Sequence, residues 1–268
     1  MALVYKSLSM KKILPVLLLS ILAACTQVQQ GSTAEIPETD PYSHISDPKV
    51  REILKAAVDV SGTIETWRGL SEIQYRKHSV LYLIDGSEES NVIQQHVYRM
   101  SPEFEADITW EKDGDRHYLQ YTSAAVKKFV NDTLQDANEE ALRQSVMSAI
   151  YVLGMPFKLL DEGVMLTYEG VTEFDGFSAH AIEARYSSDE NENHSTDDLW
   201  WYYFDEENAS FLGALVYHAP TYAMIRNLEF DQSTPIKFHK HRKSYRTDSS
   251  RNIAYLRAQF WYDNYEVR

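Results

Sequence analysis

Phe104-Glu105-Ala106-Asp107-Ile108-Thr109-Trp110-Glu111 sets one apolar residue against one polar residue over its whole length. A period of two gives a strand one dry face and one wet face. Asp113-Gly114 follows as a hairpin signal, and His117–Tyr121 resumes the strand pattern beyond it. Asp85-Gly86 and Asp175-Gly176 are turn signals of the same kind. Strand-like segments then recur at Val164–Val171, Phe177–Tyr186, Leu199–Phe204, Phe211–His218, Tyr222–Phe230, Ile236–Tyr245 and Ile253–Tyr262. Their short connections predict antiparallel pairing, because a parallel pair needs a long crossover. The expected fold is mainly β: one large antiparallel sheet of about ten strands, which at that size curls.

Two helices interrupt the strands. Asp47 can cap a helix with Pro48 at its first position, and Val50, Ile53, Leu54, Ala57 and Val58 make one buried face before Gly62. Trp67 and Leu70 extend that apolar patch. Asp136 with Glu139 reads as a capping box for a second helix. Its stripe is Leu142, Val146, Ala149, Ile150 and Leu153, and Gly154 and Pro156 end it. Laid on the concave side of the curled sheet, two helices can leave a cavity between the layers.

The 268 residues are 44% hydrophobic and 25% charged, an ordinary globular composition. A formal net charge of −14 disfavours nucleic acid as a partner, since phosphate binding needs clustered Lys and Arg. The single cysteine excludes an internal disulfide framework and any multi-cysteine zinc site.

That cysteine lies in an informative place. Lys11 and Lys12 precede the apolar run Ile13–Leu22, which is too short to span a bilayer. Leu22-Ala23-Ala24-Cys25 then resembles a bacterial lipobox. The resemblance implies cleavage before Cys25, diacylglyceryl attachment to its sulfur and subsequent N-acylation. Residues 1–24 are read as a lipoprotein signal peptide, 25–42 as the lipidated cysteine and a flexible tether, and 43–268 as a single globular domain. Several acyl chains make a lasting anchor. Thr26 after Cys25, with no acidic run close behind, points by analogy with sorting rules to the outer membrane, with the domain facing the periplasm.

Five further stretches carry a family likeness: Trp67-Arg68-Gly69-Leu70, Ile108-Thr109-Trp110-Glu111, Tyr151 to Val164, Trp200 to Asp205, and His239 to Tyr245. Together they resemble a family of bacterial lipoproteins, a domain of unknown function typical of the Bacteroidota, over Asp47 to Tyr265. In layout that family is similar to the lipoprotein-localisation factors LolA and LolB. The resemblance implies a curved antiparallel half-barrel whose concave face is covered by helices. It carries over no catalytic residue, and fold alone does not set function.

Trp200, Tyr202 and Phe204 alternate onto one side of a strand, with Trp201 and Tyr203 on the other. They read either as plain core of a central strand or as the wall of a cavity for an acyl chain or aromatic ligand. Met155 and Phe157 read either as a helix stop packed on the sheet or as an apolar rim. His239 and His241 stand two apart in an expected strand, so plain alternation aligns them with Lys237 and Lys243 and sets Lys240 and Arg242 opposite. Three readings are open there. A solvated basic face is the plain one. A site for an acidic lipid headgroup or other anion is the second. A zinc site for a hydrolase, with His96 or His218 as third ligand, is opposed by the neighbouring cations. No nucleophile elbow, H-E-x-x-H, P-loop or dinucleotide motif occurs, so neither a cofactor, a resident metal nor a catalytic residue is expected. The leading expectation is a membrane-anchored protein binding a lipid or other apolar ligand. An envelope assembly protein that binds another protein is the alternative.

Overall fold

Two of the three Asp-Gly pairs turn the chain with both residues at positive φ. In the computed structural model, which describes residues 40–187 and 198–268, Asp113 and Gly114 have φ of 55° and 86°, and Asp175 and Gly176 have 56° and 85°. Two successive positive φ values make the type I′ turn, whose twist matches that of the flanking strands. The signal segment and Cys25 lie outside the described residues, as does all but the ends of the acidic loop Ser187–Asp198.

Two meanders share one sheet. The first runs β1 (Glu72–Tyr82), β2 (Glu88–Arg99), β3 (Glu105–Lys112), β4 (Asp115–Tyr121), β5 (Val126–Val130) and β6 (Thr133–Leu134). The second runs β7 (Val164–Phe174), β8 (Phe177–Tyr186), β9 (Leu199–Asp205), β10 (Phe211–His218), β11 (Thr221–Phe230), β12 (His239–Thr247) and β13 (Ile253–Val267). The last strand returns to the first, pairing from Ile73↔Val267 to Leu81↔Ala258. The spatial order is β6-β5-β4-β3-β2-β1-β13-β12-β11-β10-β9-β8-β7, and every neighbouring pair is antiparallel. The sheet has 13 strands rather than about ten. The added strands are the long β1–β2 hairpin around Asp85-Gly86 and the short β5 and β6. The sheet is curved, and its helices cover the concave face.

Helix α1 (Pro48–Ser61) begins where Asp47 Oδ1 accepts from the amides of Lys49 and Val50 at 2.8 and 3.3 Å. Its apolar face, Val50, Ile53, Leu54, Ala57 and Val58, is fully buried. Gly62 ends it at φ 126°, and a Cβ there would lie 2.4 Å from the Pro235 carbonyl oxygen. That close approach brings the β11–β12 connection onto the helix end, where Lys237 N–H donates to Ser61 O at 2.9 Å. The backbone spent on this contact explains why β12 starts at His239 and not, as the pattern suggests, at Ile236.

A short α2 (Ile64–Arg68) carries Trp67, which stacks on Phe157 at 5.1 Å. Helix α3 (Glu139–Leu153) is capped by Asn138, whose Oδ1 accepts from Ala141 N–H at 3.1 Å. The cap is therefore Asn138 and not the expected Asp136, which stands two residues too early. The expected stripe holds at Val146, Ile150 and Leu153, all buried, and Tyr151 joins them. Among the described residues no helix is long and apolar enough to cross a membrane.

Tyr42 and Ile45, ahead of α1, are already buried in the main core. A second, smaller apolar cluster lies on the other side of the sheet: Phe174, Ala179, Ala181, Tyr203 and Leu215, with Trp201 and Met224 against it. Strand β9 is thus covered on both faces, Tyr202 and Phe204 in the main core and Tyr203 in the second.

Candidate functional site

Where α3 passes over β9–β12 it does not close on the sheet. A cavity of about 460 Å³ remains, within the range of about 300–1,000 Å³ usual for small-ligand sites. The helix supplies Tyr151 and Val152, and Met155 follows it. The sheet supplies Trp200 and Tyr202 from β9, Phe211 and Ala214 from β10, Ile225 from β11 and Arg242 from β12. Exposed Gln144, Ser148 and His218 mark the mouth, where His218 Nδ1 lies 2.5 Å from Asp198 Oδ1.

The walls are mostly apolar, with two polar features. The first is a file of phenols. Tyr151 and Tyr186 hydroxyls are 2.7 Å apart, and Tyr186 and Tyr202 hydroxyls 2.6 Å. Burial, more than any neighbour, pushes the Tyr186 phenol up to about 12, and it pushes Tyr151 and Tyr202 well above the ordinary phenol value. All three stay neutral, hydrogen-bonding groups in the physiological range. The second feature is Arg242, whose side chain is only 6% exposed. Its Nε donates to Asn227 Oδ1 at 3.0 Å, and Asn227 in turn donates from Nδ2 to Phe211 O at 3.1 Å.

Arg242 reaches the cavity because β12 does not alternate plainly. Glu229 pairs with His241 and Phe230 with His239, so Lys240 is an extra residue without a partner on β11. A bulge of this kind re-aims the side chains that follow it. His239 faces inward and is 1% exposed. His241 faces outward and stacks on Trp261 at 5.2 Å. Arg242 faces inward again. Lys243 stands outside, opposite Arg226, which pairs with Asp175 at 2.9 Å.

This corrects the expectation that His239, His241 and Lys243 share one face as a polar or anion-contacting rim, with Arg242 behind it. It equally removes the shared metal position, since the two imidazoles lie on opposite sides of the sheet. His96 is buried elsewhere, stacked on Tyr75 at 4.7 Å with Nδ1 2.9 Å from the Tyr98 hydroxyl. His239 has a structural task. Its Nε2–H donates to Val152 O at 3.1 Å, satisfying one of the carbonyls that a helix C-terminus leaves open. Burial first, then the Arg242 charge, hold its pKa well below the ordinary value, so it is a neutral donor.

Of the expected ligand-contacting residues, the structure brings Met155, Trp200 and Tyr202 to one cavity. Phe204 packs on Phe211 at 5.5 Å within the core, and Phe157 lies under Trp67. Tyr151, Phe211 and Arg242 were missed. Tyr151 had a signal, since it adjoins the α3 stripe and a buried phenol needs a partner. Arg242 had none, because nothing in the local sequence marks Lys240 as the bulge.

No protein-family model matches the chain, and no curated protein does. Solved structures do. A DUF1329 family protein from Desulfovibrio piger superposes with a TM-score of 0.53 at 7% identity, over 81% of this chain and 92% of that one. A LolA superfamily protein from Nitrosomonas europaea superposes with a TM-score of 0.51 at 9% identity, over 81% and 93%. Identities this low speak to architecture alone. The chain has the LolA-like fold: a large curved antiparallel sheet with helices against its concave face.

Proposed function

We propose that this protein is a lipid-anchored lipoprotein of the bacterial envelope that holds a lipid or other apolar ligand between α3 and strands β9–β12. The single observation that carries the reading is the cavity. Interiors are normally packed to crystal-like density. A space of about 460 Å³ walled by Met155, Trp200, Phe211 and Ile225 is a feature the fold maintains rather than a packing defect. The lipobox-like Leu22-Ala23-Ala24-Cys25 supports the anchor, and with it a periplasm-facing place on the outer membrane.

Two measurements test it. The full chain, extracted gently in neutral detergent, is examined by native mass spectrometry, and the expected result is a copurifying lipid-sized adduct. Protein free of any adduct, and unable to take one up from added lipid, would overturn the ligand reading. Cys25→Ala is expected to abolish lipidation and membrane retention while leaving the melting temperature unchanged. Normal membrane anchoring of that variant would remove the anchor.

A second reading has one observation in its favour. Strand β7 is an edge of the sheet among the described residues, with Met165 54% and Val171 50% exposed along it. Such an edge can accept a strand from another protein. A partner crosslinked along β7, with the cavity empty, would favour an assembly role.

A further inference from the structure

Among the described residues Arg242 is the most buried of the lysines and arginines, 6% exposed, and no carboxylate pairs with it. A guanidinium carries five N–H donors, and here only Nε–H has an acceptor. No carboxylate lies within ion-pair distance among the described residues. The cavity has one anionic side chain among its described lining residues, Asp198, and that carboxylate is engaged by His218 at the mouth. The Nη nitrogens are not among the fully buried polar atoms, and Arg242 lines the cavity. Removing a charge from water without a partner is costly, so buried charges are found paired. The strand bulge at Lys240 is what turns Arg242 inward, and Asn227 fixes the plane of its guanidinium from the neighbouring strand.

We infer that Arg242 is the anion anchor of this cavity, and that the ligand is an amphiphile with one hydrocarbon body and one carboxylate or phosphate group. The inference rests on the reading of the cavity as an apolar-ligand site and specifies its ligand class. The guanidinium fork takes two oxygens of the headgroup in parallel, the geometry that carboxylates and phosphates both fit. Tyr151 and Tyr202, on the same cavity wall, remain neutral and place their hydroxyl file on the polar side of the cavity. The hydrocarbon lies along Trp200, Phe211 and Ile225. The size of the cavity suits a single-tailed molecule.

The test titrates the full chain, in neutral-detergent micelles, with oleate, methyl oleate and oleoyl lysophosphatidate, reading the one-to-one complex by native mass spectrometry. Oleate is expected to bind about tenfold or more tighter than its methyl ester, which keeps the hydrocarbon and loses the charge. Arg242→Gln is expected to abolish that preference while leaving methyl oleate binding within about twofold. Arg242→Lys should retain part of it, as a point charge replaces a fork. Tighter binding of the lysophosphatidate than of oleate identifies a phosphate headgroup; the reverse identifies a carboxylate. Equal binding of oleate and its ester by the unaltered protein overturns the anchor, leaves the apolar-ligand reading standing, and needs no variant to fold. An oleate preference that survives in folded Arg242→Gln also overturns it. Binding of none of the three probes overturns the anchor and counts against the apolar-ligand reading as well.

Discussion

Two regions of the concave face are rich in aromatic rings and use them differently. Beneath β1, β2 and β13, rings fill the space. Tyr75 stacks on His96 at 4.7 Å and on Tyr265 at 5.4 Å, Phe238 lies on Tyr265 at 4.8 Å, and Tyr98 meets Phe104 at 5.9 Å. Beneath β9–β12, Trp200 stacks on Tyr202 at 5.8 Å, yet α3 stands off and a cavity remains. Aromatic content therefore does not decide whether a curved sheet is filled. The stand-off of the covering helix does. It is held by the Tyr151–Tyr186–Tyr202 hydroxyl file and by His239 at the C-terminal end of α3, both of which need polar atoms at fixed distances.

The strongest way to break this comparison is to remove the helix. Ile150 is 3% exposed on the α3 stripe. Ile150→Asp is expected to cost about 3–5 kcal/mol by placing an unpaired carboxylate in the core, read from urea denaturation. An unchanged midpoint would show that the stripe is not what seats α3.

Truncating one large ring in each region sharpens it. Tyr98 is fully buried and Trp200 half-buried. Tyr98→Ala is expected to cost about 3–5 kcal/mol, since it opens a new cavity in a filled region. Trp200→Ala should cost less than half of that, because its ring already faces open space, and should instead weaken ligand retention. Equal losses of stability would mean that the two regions are equally packed.

Acid titration touches both regions, and its effect builds up gradually as the pH falls. His96 and His239 are held neutral chiefly by burial, and their folded-state pKa values lie well below the ordinary 6.5. The unfolded chain takes up protons as pH falls through about 6.5, whereas the folded chain does not, so acid favours unfolding. Stability is expected to be flat above pH 7 and to fall below about pH 6.5, by about 1.4 kcal/mol per pH unit for each histidine. His239→Gln, which keeps a neutral donor, should remove one histidine's share of the slope between pH 5 and 6.5. The lowered carboxylates, Asp263 paired with Arg76 among them, act only at lower pH. A flat profile down to pH 5 would show that neither imidazole is desolvated.

The sheet and its helices were legible in the sequence because their signals are local. Alternation over Phe104–Glu111, the Asp-Gly turns and the five-residue face of α1 each depend on neighbours a few positions away. So does the two-sided pattern of Trp200–Phe204, which the structure assigns to two separate apolar clusters. The Asn138 cap was not read correctly, since Asp136 and Asn138 are both good caps and only the start of α3 chooses between them.

The candidate site was less legible, and β12 shows why. Strict alternation joined His239, His241 and Lys243, but one unpaired residue, Lys240, reverses the facing of everything after His239. A bulge is decided by the register of β11 and β13 on either side, which is long-range information. By itself, then, the amino-acid sequence determined a mainly antiparallel, curled sheet with helices for its inner face, and which residues of most elements are apolar. Only the tertiary structure decided that α3 stops short of β9–β12, that two histidines chosen as a pair face opposite ways, and that Arg242 opens on the space between. Local periodicity is set by the geometry of a single element. A cavity and its charge are set by distances between elements, and those depend on contacts between residues far apart in the chain.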